Sequence, residues 1–148
     1  MSKNLIAFNL PLNTDVSNFQ DILKNVMGQY FFYSCLQNFQ LYTNSNHKNA
    51  IIEFYSEKYA EKVFTQFNKK QIKGIYFDFI YSDSTTEKFL QNNNKTFYFK
   101  LKTIKYAFFK SEIKEFKSIE KINFNEKKLI GSVTYNKVEE TIKAWNYF

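Results

Sequence analysis

Leu5-Ile6-Ala7-Phe8-Asn9-Leu10-Pro11 is a short apolar run stopped by a proline, and it reads as a β-strand. A second run, His47-Lys48-Asn49-Ala50-Ile51-Ile52-Glu53-Phe54, leads into a strand expected over Ala50 to Tyr55. The residues around these two runs decide the fold. After Pro11, Val16, Phe19, Ile22, Leu23 and Val26 recur at helical spacing, with Thr14 as the expected cap and Gly28 as the stop. Tyr30 to Tyr42 is dense in aromatics and predicts one or two strands broken near Gln37-Asn38, and Thr43 to Lys48 reads as a polar loop. Ser56 caps a second helix whose inner face is Ala60, Val63, Phe64 and Phe67. Asn68 to Gly74 is a turn region. Ile75 to Tyr81 is a strand in which Ile75, Phe77, Phe79 and Tyr81 alternate with Tyr76, Asp78 and Ile80. Residues 1–82 therefore read β-α-β-β-α-β, the ferredoxin-like order.

The stretch 83–95 is polar and rich in asparagine, which predicts a linker with one helical turn around Glu87 to Leu90. The order then begins again. Thr96 to Leu101 predicts a strand, Tyr106 to Phe116 a helix, Ser118 to Phe124 and Lys128 to Tyr135 two strands, and Val138 to Trp145 a helix. The sequence stops where a fourth strand is due. The expected architecture is α+β: two ferredoxin-like units, 1–82 and 96–148, the second lacking its last strand.

Composition narrows the function. Eighteen Phe and 11 Tyr supply ample material for burial, and only 3 Gly and 1 Pro argue against disorder and against a glycine-built nucleotide site. The net charge of +7 invites a polyanion, with residues 83–148 holding 13 lysines against 8 acids and residues 1–82 holding 8 against 6. All 21 basic residues are lysine, so the chain lacks the planar guanidinium fork that grips phosphates bidentately. Abundant Asn, Ile, Phe, Tyr and Lys share A/T-rich codons, so base composition accounts for part of the basicity. Cys35 is alone, which excludes an intramolecular disulfide and points to a reducing compartment, cytoplasmic or nuclear. No apolar run approaches the roughly 18 residues of a membrane span, and the amino-terminal stretch turns polar too soon for a signal peptide. One His, one Cys and no glycine-rich phosphate loop leave no expected catalytic residues, metal or cofactor.

Leu5 to Pro11 resembles the first-strand hexamer of the RNA-recognition-motif family, which ends Asn-Leu-Pro. His47 to Phe54 resembles its third-strand octamer, matching at Ala50, Ile52, Glu53 and Phe54. Phe97 to Leu101 and Lys128 to Tyr135 resemble the same two motifs in the second unit, the latter matching at Lys128, Gly131, Val133 and Tyr135. The segment from Ile72 through Leu101 is similar to the junction between the first two domains of poly(A)-binding proteins. The resemblance implies a non-enzymatic protein binding single-stranded RNA, adenine-rich by analogy, on the two central strands of each sheet.

The resemblance carries candidate residues onto Ile6, Phe8, Asn9, Lys48 and Asn49 in the first unit, with Tyr76 from its last strand. In the second unit it carries them onto Phe97, Phe99 and Lys128. Aromatics at three of the family's positions normally stack on bases. Here Ile6, Asn49 and Ile51 replace all three in the first unit, and Ile130 and Ser132 replace two in the second, leaving Phe97. Phe8 and Tyr76 are the expected substitutes, and a one-residue shift would bring Tyr98 to the surface in place of Phe97. The rival expectation is a degenerate motif serving as a protein-interaction subunit of a ribonucleoprotein assembly such as a ribosome or spliceosomal particle, with the open sheet edge of the second unit inviting a partner strand.

Overall fold

The computed structural model describes residues 2–43, 46–101, 119–125 and 127–147. The chain divides into two compact units, Met1–Glu87 and Lys88–Phe148.

Unit 1 runs β1 (Asn4–Leu10), α1 (Val16–Met27), α2 (Gln29–Cys35), β2 (Leu36–Thr43), β3 (Lys48–Phe54), α3 (Glu57–Phe67), β4 (Lys70–Ile72), β5 (Ile75–Phe77) and β6 (Phe79–Tyr81). Its main sheet has the order β2-β3-β1-β6 with every pairing antiparallel. Period-two alternation sends Leu5, Ala7, Ala50, Ile52 and Phe54 to one face of this sheet. There they form a single core with Phe19 and Leu23 of α1 and Ala60 and Val63 of α3. This is the ferredoxin-like arrangement expected from the sequence.

Three local readings change. The cap of α1 is Asp15, not Thr14. Asn18 donates its backbone N–H to Asp15 Oδ1 and Asp15 donates its own to Asn18 Oδ1, both at 2.8 Å. Thr14 is buried and donates its backbone N–H to Pro11 O, and Val16 leaves the apolar stripe, being 62% exposed.

The aromatic stretch expected as strand from Tyr30 begins as helix α2. Phe32 and Cys35, three residues apart, turn inward, while Tyr30 and Tyr33 turn outward. Burial at helical spacing overrides the strand preference of aromatics, and Cys35 ends a helix instead of sitting in a strand. Gly28, at φ +83°, takes the backbone conformation that separates α1 from α2.

The strand expected over Ile75 to Tyr81 breaks at Asp78. Phe8 donates its backbone N–H to Asp78 O at 2.9 Å, and Phe79 donates its own to Asn68 Oδ1 at 2.8 Å. β6 stays in the main sheet beside β1, whereas β5 leaves to pair with β4. Lys73 and Gly74, at φ +51° and +83°, make the two-residue connection of that hairpin in the sense that matches strand twist.

The stretch expected as linker holds α4 (Ser84–Gln91), which spans the division between the units. Asp83 and Thr86 exchange backbone-to-side-chain hydrogen bonds at 2.9 Å each way, a reciprocal start signal spaced three residues apart.

Unit 2 contains β7 (Thr96–Lys100), β8 (Ile119–Asn125), β9 (Ile130–Tyr135) and α5 (Val138–Tyr147). Its sheet has the order β7-β9-β8, antiparallel throughout, which is the unit 1 order without the strand beside β1. Among the described residues β7 is therefore an edge. The helix expected over Tyr106 to Phe116, and Ser118 at the start of the next strand, lie outside the described residues. On one face Phe97, Val133 and Tyr135 are buried with Ile142 and Ala144 of α5. No helix among the described residues is long and apolar enough to cross a membrane.

Candidate nucleic-acid interface

In unit 1 the face of the sheet turned away from the core carries an aliphatic row. Ile6 stands opposite Ile51 on one side and Ile80 on the other, and Gln40 stands opposite Ile51. Ile6 and Phe8 are both 0% exposed, and Ile51 and Asn49 are buried. Ile6, Phe8 and Asn49 are thus covered, and Phe8 presents no open ring face.

Asn9 and Asn49 do structural work together. The pairing of β1 with β3 slips between Ala7 and Leu10, where Asn9 takes φ +60°. Asn9 donates its backbone N–H to Asn49 Oδ1 at 3.1 Å, so the buried carboxamide satisfies the irregular backbone. Lys48 Nζ donates to Thr14 O at 2.5 Å, tying the start of β3 to the turn before α1. Tyr76 belongs to β5, so it is on the separate hairpin and not on the main sheet where it was expected. It is 51% exposed. Asp78 is paired with Lys69 Nζ at 2.5 Å.

Unit 2 is arranged differently. Phe97 is 3% exposed and packs against Tyr135, with centroids 6.2 Å apart, and against Trp145 of α5 at 6.1 Å. It is a core residue, which corrects its assignment to the stacking position. Trp145 also meets Phe89, with ring centroids 5.7 Å apart. Alternation then puts Tyr98 on the opposite face, 76% exposed. Tyr98 pairs with Ser132 as Ile6 pairs with Ile51, so the strand register itself makes Tyr98 the counterpart of the hexamer's ring.

Phe99 returns to the α5 side of the sheet. It stacks on Phe124, with centroids 6.0 Å apart and planes 9° from parallel, and its ring lies over Gly131. Phe99 therefore belongs with the packing of that sheet face. Around Tyr98 the exposed face continues with Lys100 opposite Ile130, Asn123 opposite Ser132, and Lys121 opposite Thr134. Lys128 is exposed in the β8–β9 turn, where it donates its backbone N–H to Asn125 Oδ1 at 3.1 Å. A cleft of about 740 Å³ at this end of the sheet is lined by Tyr98, Lys100, Asn123, Asn125, Ile130 and Ser132 with Phe99, Phe124 and Gly131 between them.

The titrations that burial perturbs lie away from this face. Desolvation, reinforced by the charge of Glu140, pushes the Tyr135 phenol up to about 12. Burial also raises the Cys35 thiol, with Lys62 and a hydrogen bond from Tyr59 opposing it. Among the described residues no cluster of three or more His, Cys, Asp or Glu could hold a metal ion.

The β-α-β-β-α-β order and the β2-β3-β1-β6 sheet settle the architecture of unit 1. It has the ferredoxin-like fold. No family model matches the chain, and no curated protein sequence does. Similar solved structures include the N-terminal three RNA-binding domains of the yeast splicing factor Prp24, 17% identical with a TM-score of 0.49 over 99% of this chain and 61% of that one. The Sex-lethal RNA recognition domains 1 and 2 from Drosophila melanogaster are 16% identical, with a TM-score of 0.42 over 99% of this chain and 94% of that one. The first two RRM domains of the yeast poly(U)-binding protein Pub1 are 16% identical, with a TM-score of 0.42 over 97% and 88%.

The register that exposes Tyr98 is the one-residue shift allowed for in the sequence, whereas the β4–β5 hairpin was missed there. Val133 and Tyr135 gave a signal for the first, because two buried positions in β9 fix the phase of the strand paired with it. Lys73-Gly74 between two isoleucines gave one for the second.

Proposed function

We propose that the chain is a non-enzymatic protein that binds single-stranded RNA on the open sheet face of unit 2. The observation that supports this reading most strongly is Tyr98, a 76% exposed ring on β7 beside the central strand β9, facing away from α5. An exposed tyrosine offers its face to any base, and Lys100, Lys121 and Lys128 supply charge for phosphates nearby. The excess of positive charge agrees: residues 83–148 carry 13 lysines against 8 acids. One stacking ring and no arginine make this a reader of backbone more than of base sequence.

Fluorescence anisotropy with labelled adenine and uridine 15-mers, from low to physiological salt, tests the reading. Binding to both oligomers with similar affinity, falling steeply with salt, is the expected result. No binding to either at low salt overturns it.

A further inference from the structure

We propose that the β4–β5 hairpin of unit 1 is a second contact for single-stranded RNA, a basic ribbon that holds backbone phosphates and stacks one base on Tyr76. It rests on the RNA reading above and adds a site outside either main sheet. The ribbon has two faces. Ile72, Ile75 and Phe77 turn toward the unit 1 core, with Phe77 fully buried. Alternation puts Gln71 and Tyr76, directly opposite each other, on the outer face, with Lys69 just before the ribbon and Lys73 in its turn. The exposed ring therefore lies on a ribbon whose turn carries the exposed Lys73. Lys70 is exposed as well.

Charge singles out this element. Residues 1–82 hold 8 lysines and 6 acids, an excess of +2. Residues 69–78 alone hold 3 lysines, Lys69, Lys70 and Lys73, and one acid, Asp78, again +2. Unit 1 as a whole, residues 1–87, holds 8 lysines and 8 acids, so this hairpin is a basic patch on a unit of zero net charge. Lys69 offsets Asp78, with Nζ and Oδ1 2.5 Å apart, so no bare carboxylate opposes a phosphate there. The ribbon is also held in place: Lys69 donates its backbone N–H to Phe77 O at 2.8 Å, and the Lys73-Gly74 turn closes its tip. A ring and cations fixed on a rigid ribbon need little ordering on binding.

The test uses the full chain, labelled single-stranded uridine and adenine 15-mers, and anisotropy across salt. In the Lys70→Gln/Lys73→Gln double variant the log–log salt slope should fall by about 1.4, two single-strand phosphate contacts at about 0.7 each, with several-fold weaker binding. Tyr76→Ala should weaken binding about five-fold or more. Urea melts matching the unsubstituted chain establish that both variants are folded. Unchanged affinity and slope in both, while Tyr98→Ala still weakens binding, overturns the hairpin site and leaves the RNA reading intact. If the unsubstituted chain binds neither oligomer, both fail.

Discussion

Trp145 meets Phe97 edge-on, with ring centroids 6.1 Å apart and 71° between the planes. This contact marks the face of β7 that looks inward. Every side chain of the strand follows from it, because a one-residue change of phase exchanges the two faces.

Phe97→Ala should therefore act on folding. Removing a buried aromatic that touches Tyr135 and Trp145 costs about 3–5 kcal/mol in a packed core. Urea denaturation of the full chain should show this loss. RNA affinity should fall only as far as unit 2 unfolds. A variant with unchanged stability and weakened RNA binding would return Phe97 to the surface.

Gly131 should tolerate no side chain. A Cβ there would meet Asn123 O of the neighbouring strand and come within 2.6 Å of Phe99 Cζ. The backbone oxygen cannot move without breaking the β8–β9 pairing, and the ring is stacked on Phe124. Gly131→Ala should destabilise unit 2 by about 1–3 kcal/mol in thermal or urea melts.

Tyr135 should give stability a measurable alkaline limb. Its hydroxyl is buried with no hydrogen-bond partner among the described residues, and its phenol titrates near 12 where an unfolded tyrosine titrates near 10. Below about pH 10 both states hold the proton, and the group adds no pH dependence. Between about pH 10 and 12 only the unfolded chain releases it, so stability should fall as pH rises. Tyr135→Phe should remove that contribution and leave stability at neutral pH equal or higher by up to about 1–3 kcal/mol. Paired melts at pH 7, 10 and 11 check both signs.

Cys35 should be slow to react. Burial raises its thiol, so little thiolate forms at neutral pH, and the sulfur is covered at the end of α2. A coloured disulfide reagent should label it at the rate of opening, with immediate reaction only in denaturant. Rapid stoichiometric labelling of the native chain at neutral pH contradicts this.

Much of the fold was legible because burial is periodic. α1 and α3 carry their apolar residues at helical spacing, β1 and β3 are short apolar runs buried on both faces, and the main sheet follows from their order. The readings that failed have local causes. Tyr30 to Cys35 is aromatic at nearly every position, so composition favoured a strand, while the two buried residues, Phe32 and Cys35, lie at helical spacing. The break at Asp78 depends on hydrogen bonds from Phe8 and to Asn68, which no local pattern encodes. Around Tyr98 the run Phe97-Tyr98-Phe99 has a ring on both faces, so apolarity could not choose the phase of β7. The choice was made by Val133 and Tyr135 in the neighbouring strand.

Substitution at Tyr98 tests the account most directly, measured as affinity of the full chain for labelled single-stranded RNA at low salt. Tyr98 is 76% exposed and packs little, so Tyr98→Ala should leave the urea melt unchanged. It should weaken RNA binding by about 1–3 kcal/mol, while Tyr98→Phe, which keeps the ring, should bind nearly as well as the unsubstituted chain. A folded Tyr98→Ala variant with undiminished RNA affinity would contradict the assignment of the unit 2 sheet face as the RNA-binding surface.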